Sequence, residues 1–168
     1  KAVRLDPVKC LASMDQLSLG SNYARSYRPV LARLTHTGLQ HEDARVTFGV
    51  RIHDGVDVSY LDEAINSIAT QTYRRFKTVL LVDGPWSLGE KLAARYDLPL
   101  ICTGLEADIE HCSWLHRQAL ERCETEFYKP LDYDDQLLPT YLERAVQTLD
   151  QKGVDVYGCL LNTLQEGE

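Results

Sequence analysis

The sequence lacks several features that would define a membrane, secreted or nucleic-acid-binding protein. It has no apolar run long enough to cross a bilayer and no recognisable signal peptide. Its five cysteines are odd in number and scattered, which does not fit a disulfide framework. Basic residues are also few, since 18 Lys and Arg against 25 Asp and Glu give a net charge of −7. The chain therefore offers little attraction to nucleic acid or to an anionic membrane.

These absences favour a cytoplasmic protein with no nucleic-acid partner and no membrane span in this chain. Peripheral association with the inner face of the membrane stays open. At 168 residues and 44% hydrophobic content, the chain is long enough to bury one core. Because it begins with Lys1 and ends at LQEGE, we expect it to be part of a longer protein.

Short β-rich runs alternate with segments of helical spacing over most of the chain. The predicted strands are residues 45–52, 76–83, 98–104, 126–132 and 154–161, and helices are predicted between them, the last beginning at Pro139. Such alternation predicts an α/β fold with a mainly parallel sheet flanked by helices.

The first 44 residues do not share this alternation. They contain helical pieces around VKCLASM and YRPVLARLTH, separated by polar stretches. We therefore divide the chain into an N-terminal helical extension, 1–44, and an α/β domain, 45–168.

A cluster of carboxylates follows the fourth predicted strand, in the stretch KPLDYDDQLLP. Asp132, Asp134 and Asp135 lie within four positions, and their mutual repulsion requires either screening by water or a neutralising cation. Asp54 and Asp83 also fall at the ends of predicted strands, where parallel sheets bind ligands. This arrangement favours a metal site over a solvated turn.

Three stretches follow one another along the chain: VTFGVRIHDG, YLDEAINSIATQTYRRFKTVLLVDG and ALERCETEFYKPLDYDDQLLPTYLERAV. Their order resembles the nucleotide-sugar-binding half of family 2 glycosyltransferases, which have the Rossmann-like GT-A fold. LDYDDQLLP is similar to the family's D-x-D with its trailing D-x-x-L-P, and the resemblance covers residues 45–162. It implies metal-dependent, inverting transfer of a sugar from a nucleotide-sugar donor, commonly a UDP-sugar, to a glycan or glycoconjugate acceptor, as in polysaccharide biosynthesis.

The resemblance also implies roles for individual residues. Asp134 resembles the metal-binding carboxylate and Asp132 the first Asp of the pair, near the ribose and the metal. A divalent Mg²⁺ or Mn²⁺ on such oxygen ligands would neutralise the charge of the leaving diphosphate. The remaining nucleotide-sugar-binding positions implied by the resemblance are Arg51, His53 and Asp54 for the nucleoside, Asp83 for the base, and His116 and Arg117 for the family's Arg-Asn pair. We expect Asp83 to select the base rather than to support the fold.

The sequence departs from the family pattern at several positions. Pro85 stands where the family has Ser, Trp86 follows it as either a stacking or a packing residue, and His116 replaces an Arg. The family's general base comes from a segment beyond the fifth strand, and no residue of this chain is assigned to that role.

Other readings of the sequence remain. One alternative is a non-catalytic GT-A-like binding or scaffold module, and another is a sugar nucleotidyltransferase, although IHDGVDVSY lacks that class's basic loop. His111, Cys112, His116 and Cys123 include potential zinc ligands, but with neither CxxC nor HxxxH spacing we expect a core thiol and surface imidazoles.

Overall fold

The computed structural model describes residues 9–10 and 36–158. These residues contain one five-stranded sheet and four α-helices. The strands are β1 (Lys9–Cys10), β2 (Val46–His53), β3 (Phe76–Asp83), β4 (Leu100–Cys102) and β5 (Phe127–Asp132). The helices are α1 (Val58–Ala69), α2 (Trp86–Tyr96), α3 (His111–Glu121) and α4 (Tyr141–Lys152), and a 3-10 turn covers His36–Leu39.

All the strand pairs of this sheet are parallel, in the order β1-β5-β2-β3-β4. The predicted α/β class is therefore confirmed. The strand order reverses at β2, because the chain moves from β2 outward to β3 and β4 and later returns to place β5 on the other side. Parallel sheets bind ligands beyond the carboxyl ends of the strands at such a reversal.

The two faces of the sheet are covered unequally. Alternate residues of β2, such as Val46, Phe48 and Val50, join the large core that includes α1, α2 and α4. The opposite face packs against α3, where Leu115 and Ala119 meet side chains of β3 and β5 in a smaller cluster. None of the helices between residues 36 and 158 combines the length and apolarity needed to span a membrane.

A buried glutamine joins the end of α1 to the segment that follows β5. Gln71 is 0% exposed. Its Nε2 donates to the Leu138 carbonyl at 2.7 Å, and its Oε1 accepts from the Leu142 amide at 2.9 Å. The neighbouring Thr72 amide donates to the Pro139 carbonyl at 2.7 Å. These bonds hold the chain immediately after the carboxylate cluster.

Two sequence-based predictions differ from the structure. Residues 154–158 form no strand, and the rest of the predicted strand 154–161 lies outside the described residues. Lys9 and Cys10, predicted as helical, form β1 and pair with Phe127 and Tyr128 of β5. The other residues of the predicted helical extension, up to 35, lie outside the described residues.

Gly49 allows the smaller cluster to pack closely against β2. A Cβ added at this position would overlap the Tyr128 hydroxyl and ring. Tyr128 is 1% exposed, so its ring has no free space into which it can turn. The sequence therefore needs a residue without a side chain at this point of the strand.

We expect Gly49→Ala to lower the free energy of unfolding by about 1–3 kcal/mol, the usual cost of overpacking a core. Urea denaturation would measure the change. Gly38→Ala is the matched control, because nothing lies within 4 Å of its added Cβ. Equal stability of the two variants would contradict the close packing of Tyr128 on β2.

Candidate functional site

Asp83 ends β3 as a buried carboxylate with three hydrogen-bond donors. The residue is 1% exposed. Oδ1 accepts from Thr103 Oγ1 at 3.2 Å and from His111 Nδ1 at 2.8 Å, and Oδ2 accepts from the Asp108 amide at 3.0 Å. A buried charge is costly without such partners. Asp83 therefore fixes the connection between β4 and α3, a structural contribution that we did not expect from the sequence. Its expected role in selecting the base stays a prediction.

A cavity of about 260 Å³ lies beside Asp83 at the carboxyl edge of the sheet. Its lining residues are Arg51, His53, Asp83, Ala107, Asp108 and Ile109. Because it combines a guanidinium, an imidazole and carboxylates, this cavity suits a small polar ligand.

Arg51 connects the cavity to the end of β5. Its Nε donates to Asp132 Oδ1 at 2.8 Å. Burial opposes the positive charge of Arg51, but the hydrogen bond and the charge of Asp132 outweigh burial and raise the guanidinium pKa. Arg51 therefore remains a cation with a fixed orientation between the cavity and the carboxylate cluster.

The carboxylate cluster forms a turn after β5. The Asp135 amide donates to the Asp132 carbonyl at 3.1 Å, and Asp134 is exposed. Burial raises the pKa of Asp135 to about 6, with further contributions from the negative charges of Asp132 and Asp134. The crowding of like charges predicted from the sequence is therefore present, and a bound cation would relieve it.

Aromatic rings border this turn. The Tyr133 ring lies 5.4 Å from His53 and 6.4 Å from Tyr60, centroid to centroid, in both cases edge to face. His53 Nδ1 also lies 2.9 Å from the Asp54 carbonyl oxygen. Asp54 itself donates its amide to the Asp83 carbonyl at 2.9 Å, while its carboxylate accepts from the Gly55 amide at 3.0 Å.

The carboxylates of the turn fit a divalent cation only if other molecules complete its coordination. Within residues 9–10 and 36–158, no group of three or more His, Cys, Asp or Glu side chains is arranged to hold a metal ion. Asp132 and Asp134 supply the hard oxygen atoms that Mg²⁺ and Mn²⁺ prefer. The remaining ligands would have to come from water or from an anionic ligand.

His116 and Arg117 lie apart from the cavity. His116 Nδ1 is 2.7 Å from the Tyr128 hydroxyl, in the interface between α3 and the sheet. Arg117 is exposed and pairs with Glu121 one turn later at 3.0 Å. The sheet thus brings together Arg51, His53, Asp83 and Asp132, whereas these two residues of α3 bond elsewhere.

Three residues that hold Asp83 were not predicted as site residues. Thr103 and Asp108 lie between the end of β4 and the start of α3, and His111 is the first residue of α3. The available signal was their position at or beyond the carboxyl end of the predicted strand 98–104, which is where polar residues meet in a parallel sheet. The two histidines considered as zinc ligands bond within the protein, His111 to the Asp83 carboxylate and His116 to the Tyr128 hydroxyl.

A second cavity, of about 240 Å³, lies at the opposite edge of the sheet. It is bordered by the starts of β3 and β4 and by the end of α3, with Lys77, Leu100 and Arg122 among its lining residues. Ligands of parallel sheets bind at the carboxyl edge. We therefore place the candidate site at the cavity beside Asp83.

No protein-family model and no curated protein matches the chain. Solved structures of the glycosyltransferase TarS from S. aureus are similar in fold. One TarS structure is 23% identical over 65% of this chain and 20% of its own, with a TM-score of 0.52. TarS 1-349 is 23% identical over 64% of this chain and 32% of its own, with a TM-score of 0.52.

A structure of TarS 1-349 in complex with UDP is also similar, with 24% identity, a TM-score of 0.50 and coverage of 64% of this chain and 32% of that one. The chain therefore spans about a third or less of the length of these TarS chains. At this level of identity, the comparisons show a shared α/β fold.

We expect Asp83→Asn to lower the free energy of unfolding by about 1–3 kcal/mol, because an amide offers one acceptor oxygen and turns an NH₂ group toward other donors. Asp108→Asn is the control, since Asp108 reaches Asp83 through its backbone amide. Chemical denaturation of both variants measures the difference. Unchanged stability of Asp83→Asn would show that the three contacts contribute little.

The stability of the protein should also depend on His116. Burial lowers the pKa of its imidazole, although the charge of Asp132 acts in the opposite direction. The folded protein then binds fewer protons than the unfolded chain. The contribution of neutral His116 to the free energy of unfolding is therefore fully present above the unfolded pKa of about 6.5, and it decreases as the pH falls below that value.

We expect His116→Asn, which cannot titrate in this range, to show a smaller loss of stability between about pH 7 and pH 5 than the unsubstituted protein. Urea unfolding at several pH values is the measurement. Parallel pH profiles for the two proteins would exclude His116 as the source of the dependence.

Proposed function

We propose that this chain is the nucleotide-sugar-binding part of a glycosyltransferase that uses a UDP-sugar as donor. The observation that carries the proposal is the placement of Arg51, His53 and Asp83 around one cavity at the carboxyl edge of a parallel sheet, with Arg51 bonded to Asp132 at the end of β5. The fold of this sheet is shared with TarS, one structure of which contains UDP. The reaction class is transfer of the sugar to a glycan or other acceptor.

Asp83 is the proposed base-reading residue. It lines the cavity, and its carboxylate is an acceptor for the imide N–H of uracil. Arg51 and His53 line the same cavity and can contact the nucleoside or its phosphates. In this arrangement, one wall of the cavity recognises the base and the β2–β5 side receives the diphosphate.

A divalent cation, Mn²⁺ or Mg²⁺, is proposed at the turn that follows β5. Asp134 would provide an exposed ligand, and Asp132 would contribute from the end of β5 while it bonds to Arg51. When bound, the ion supplies a Lewis acid that neutralises the diphosphate leaving group. The raised pKa of Asp135, caused by burial and by two neighbouring carboxylates, supports a shortage of positive charge at this turn.

Inverting transfer is the proposed stereochemistry, as the resemblance to family 2 enzymes implies. The acceptor hydroxyl would attack the anomeric carbon directly, the bond to the diphosphate would break, and the hydroxyl proton would pass to a general base. We assign no residue of this chain to that base.

UDP binding should depend on the cation and on Asp134. We expect EDTA, or Asp134→Ala in the presence of Mn²⁺, to weaken UDP binding at least tenfold, or about 1.4 kcal/mol, because the cation offsets repulsion between the diphosphate and the carboxylates. Isothermal titration calorimetry measures both effects.

Asp155→Ala is the matched control, because Asp155 is an exposed carboxylate beyond α4. Its affinity for UDP should equal that of the unsubstituted chain. UDP binding that is as tight in EDTA as in Mn²⁺ would remove the metal from the proposal.

A further inference from the structure

The carboxylate of Asp83 has one acceptor position left for a ligand. An ionised carboxylate offers about four lone-pair positions, two on each oxygen. Among the described residues, Thr103 and His111 donate to Oδ1, and the Asp108 amide donates to Oδ2. The remaining position is on Oδ2, and Asp83 lines the cavity of about 260 Å³. None of the three donors uses this position, so a ligand N–H that occupies it displaces none of them. Because the residue is only 1% exposed, the ligand would have to approach from the cavity.

His111 is the donor best placed to fix the orientation of this carboxylate. Its bond to Oδ1, at 2.8 Å, is shorter than that of Thr103, at 3.2 Å. His111 is also the first residue of α3, and its own amide donates to the Asp108 carbonyl at 3.0 Å. A donor on a regular element holds its partner more accurately than one on a loop.

We propose that His111 is a positioning residue, which directs the remaining lone pair of Asp83 into the cavity and thereby determines selectivity for a uracil base. This inference rests on the proposed function. Uracil carries a hydrogen at N3, whereas the N3 of cytosine is an acceptor. A carboxylate held in one orientation therefore accepts from uracil and repels the corresponding atom of cytosine.

The positioning does not require a particular charge on His111. Nδ1 carries a hydrogen both in the imidazolium form and in the neutral tautomer that donates to Asp83. The orientation of Asp83 therefore depends on the N–H of His111 Nδ1 and on its position, and both can be changed by substitution.

Two substitutions separate the donor from the size of the side chain. His111→Leu keeps a similar volume and removes the N–H. His111→Asn places an amide nitrogen at the δ position that Nδ1 occupies in histidine. The control is Gln118→Leu on the same helix, because Gln118 is partly exposed and bonds to Glu121 rather than to Asp83.

The test is the affinity of the full 168-residue chain for UDP and for CDP, measured by calorimetry with Mn²⁺. For His111→Leu we expect roughly tenfold weaker UDP binding and less than about a twofold change for CDP, since only UDP uses the oriented acceptor. His111→Asn should stay within about threefold of the unsubstituted chain for UDP. Gln118→Leu should match the unsubstituted chain for both nucleotides.

The outcomes distinguish this inference from the proposed function. Failure of the unsubstituted chain to bind UDP overturns the proposed function and this inference with it. UDP binding with no preference over CDP, or the same preference in His111→Leu, overturns the role of His111 alone. A general loss of packing would weaken UDP and CDP binding together, and that result also contradicts the inference.

Circular dichroism would show whether His111→Leu folds. If it does not, His111→Asn is compared with His111→Gln, in which the amide lies one bond farther from the backbone. A stronger preference for UDP in the Asn variant supports positioning, and equal preferences in the two variants contradict it.

Discussion

The parallel register of β2 with its two neighbours is the constraint on which the candidate site depends. His53 lies opposite Asp83 of β3, and Arg51 lies opposite Asp132 of β5. Because side chains alternate between the faces of a strand, a slip of one residue in either pairing would turn these groups to the other face. The apolar residues of β2 prevent that slip, since Val46, Phe48, Val50 and Ile52 must all face the larger core. Core packing therefore sets the geometry of a polar site.

Two buried polar side chains then hold the loops that border this edge. Asp83 fastens the connection between β4 and α3, through Thr103, Asp108 and His111. Gln71 fastens the segment after the carboxylate cluster, through the backbone of Leu138 and Leu142. Each is almost inaccessible to water, so the loss of any partner leaves a buried polar group unsatisfied. The loops that border this edge of the sheet are thus held from their inner side.

Sequence reasoning succeeded where the signal is local and failed where it depends on distant partners. The apolar run TVLLV and the helical spacing of Leu61, Ala64 and Ile68 are local patterns, and both elements were predicted close to their observed bounds. The contact of Asp83 with His111 joins residues 28 positions apart, with α2, β4 and a loop between them. The apolar stretch after α4 resembles a strand, but Val156 is 57% exposed and β1 occupies the free edge of β5. Neither the occupancy of a sheet edge nor the donors to one carboxylate can be inferred from neighbouring residues.

Electrostatics gives a reason, independent of the resemblance, to expect a cation at this edge. Arg51 is the cation of the cavity lining, but its hydrogen bond to Asp132 already offsets much of its charge. Asp134 is exposed, and Asp135, with a pKa of about 6, is mostly ionised at neutral pH. Each unit charge of a diphosphate placed about 4 Å from one such carboxylate is repelled by about 4 kcal/mol at an effective dielectric constant near 20. A chain with a net charge of −7 has no general field to counter this repulsion. We therefore propose that a nucleoside diphosphate would bind here together with a divalent ion, which would be attracted by the same carboxylates that repel the free anion.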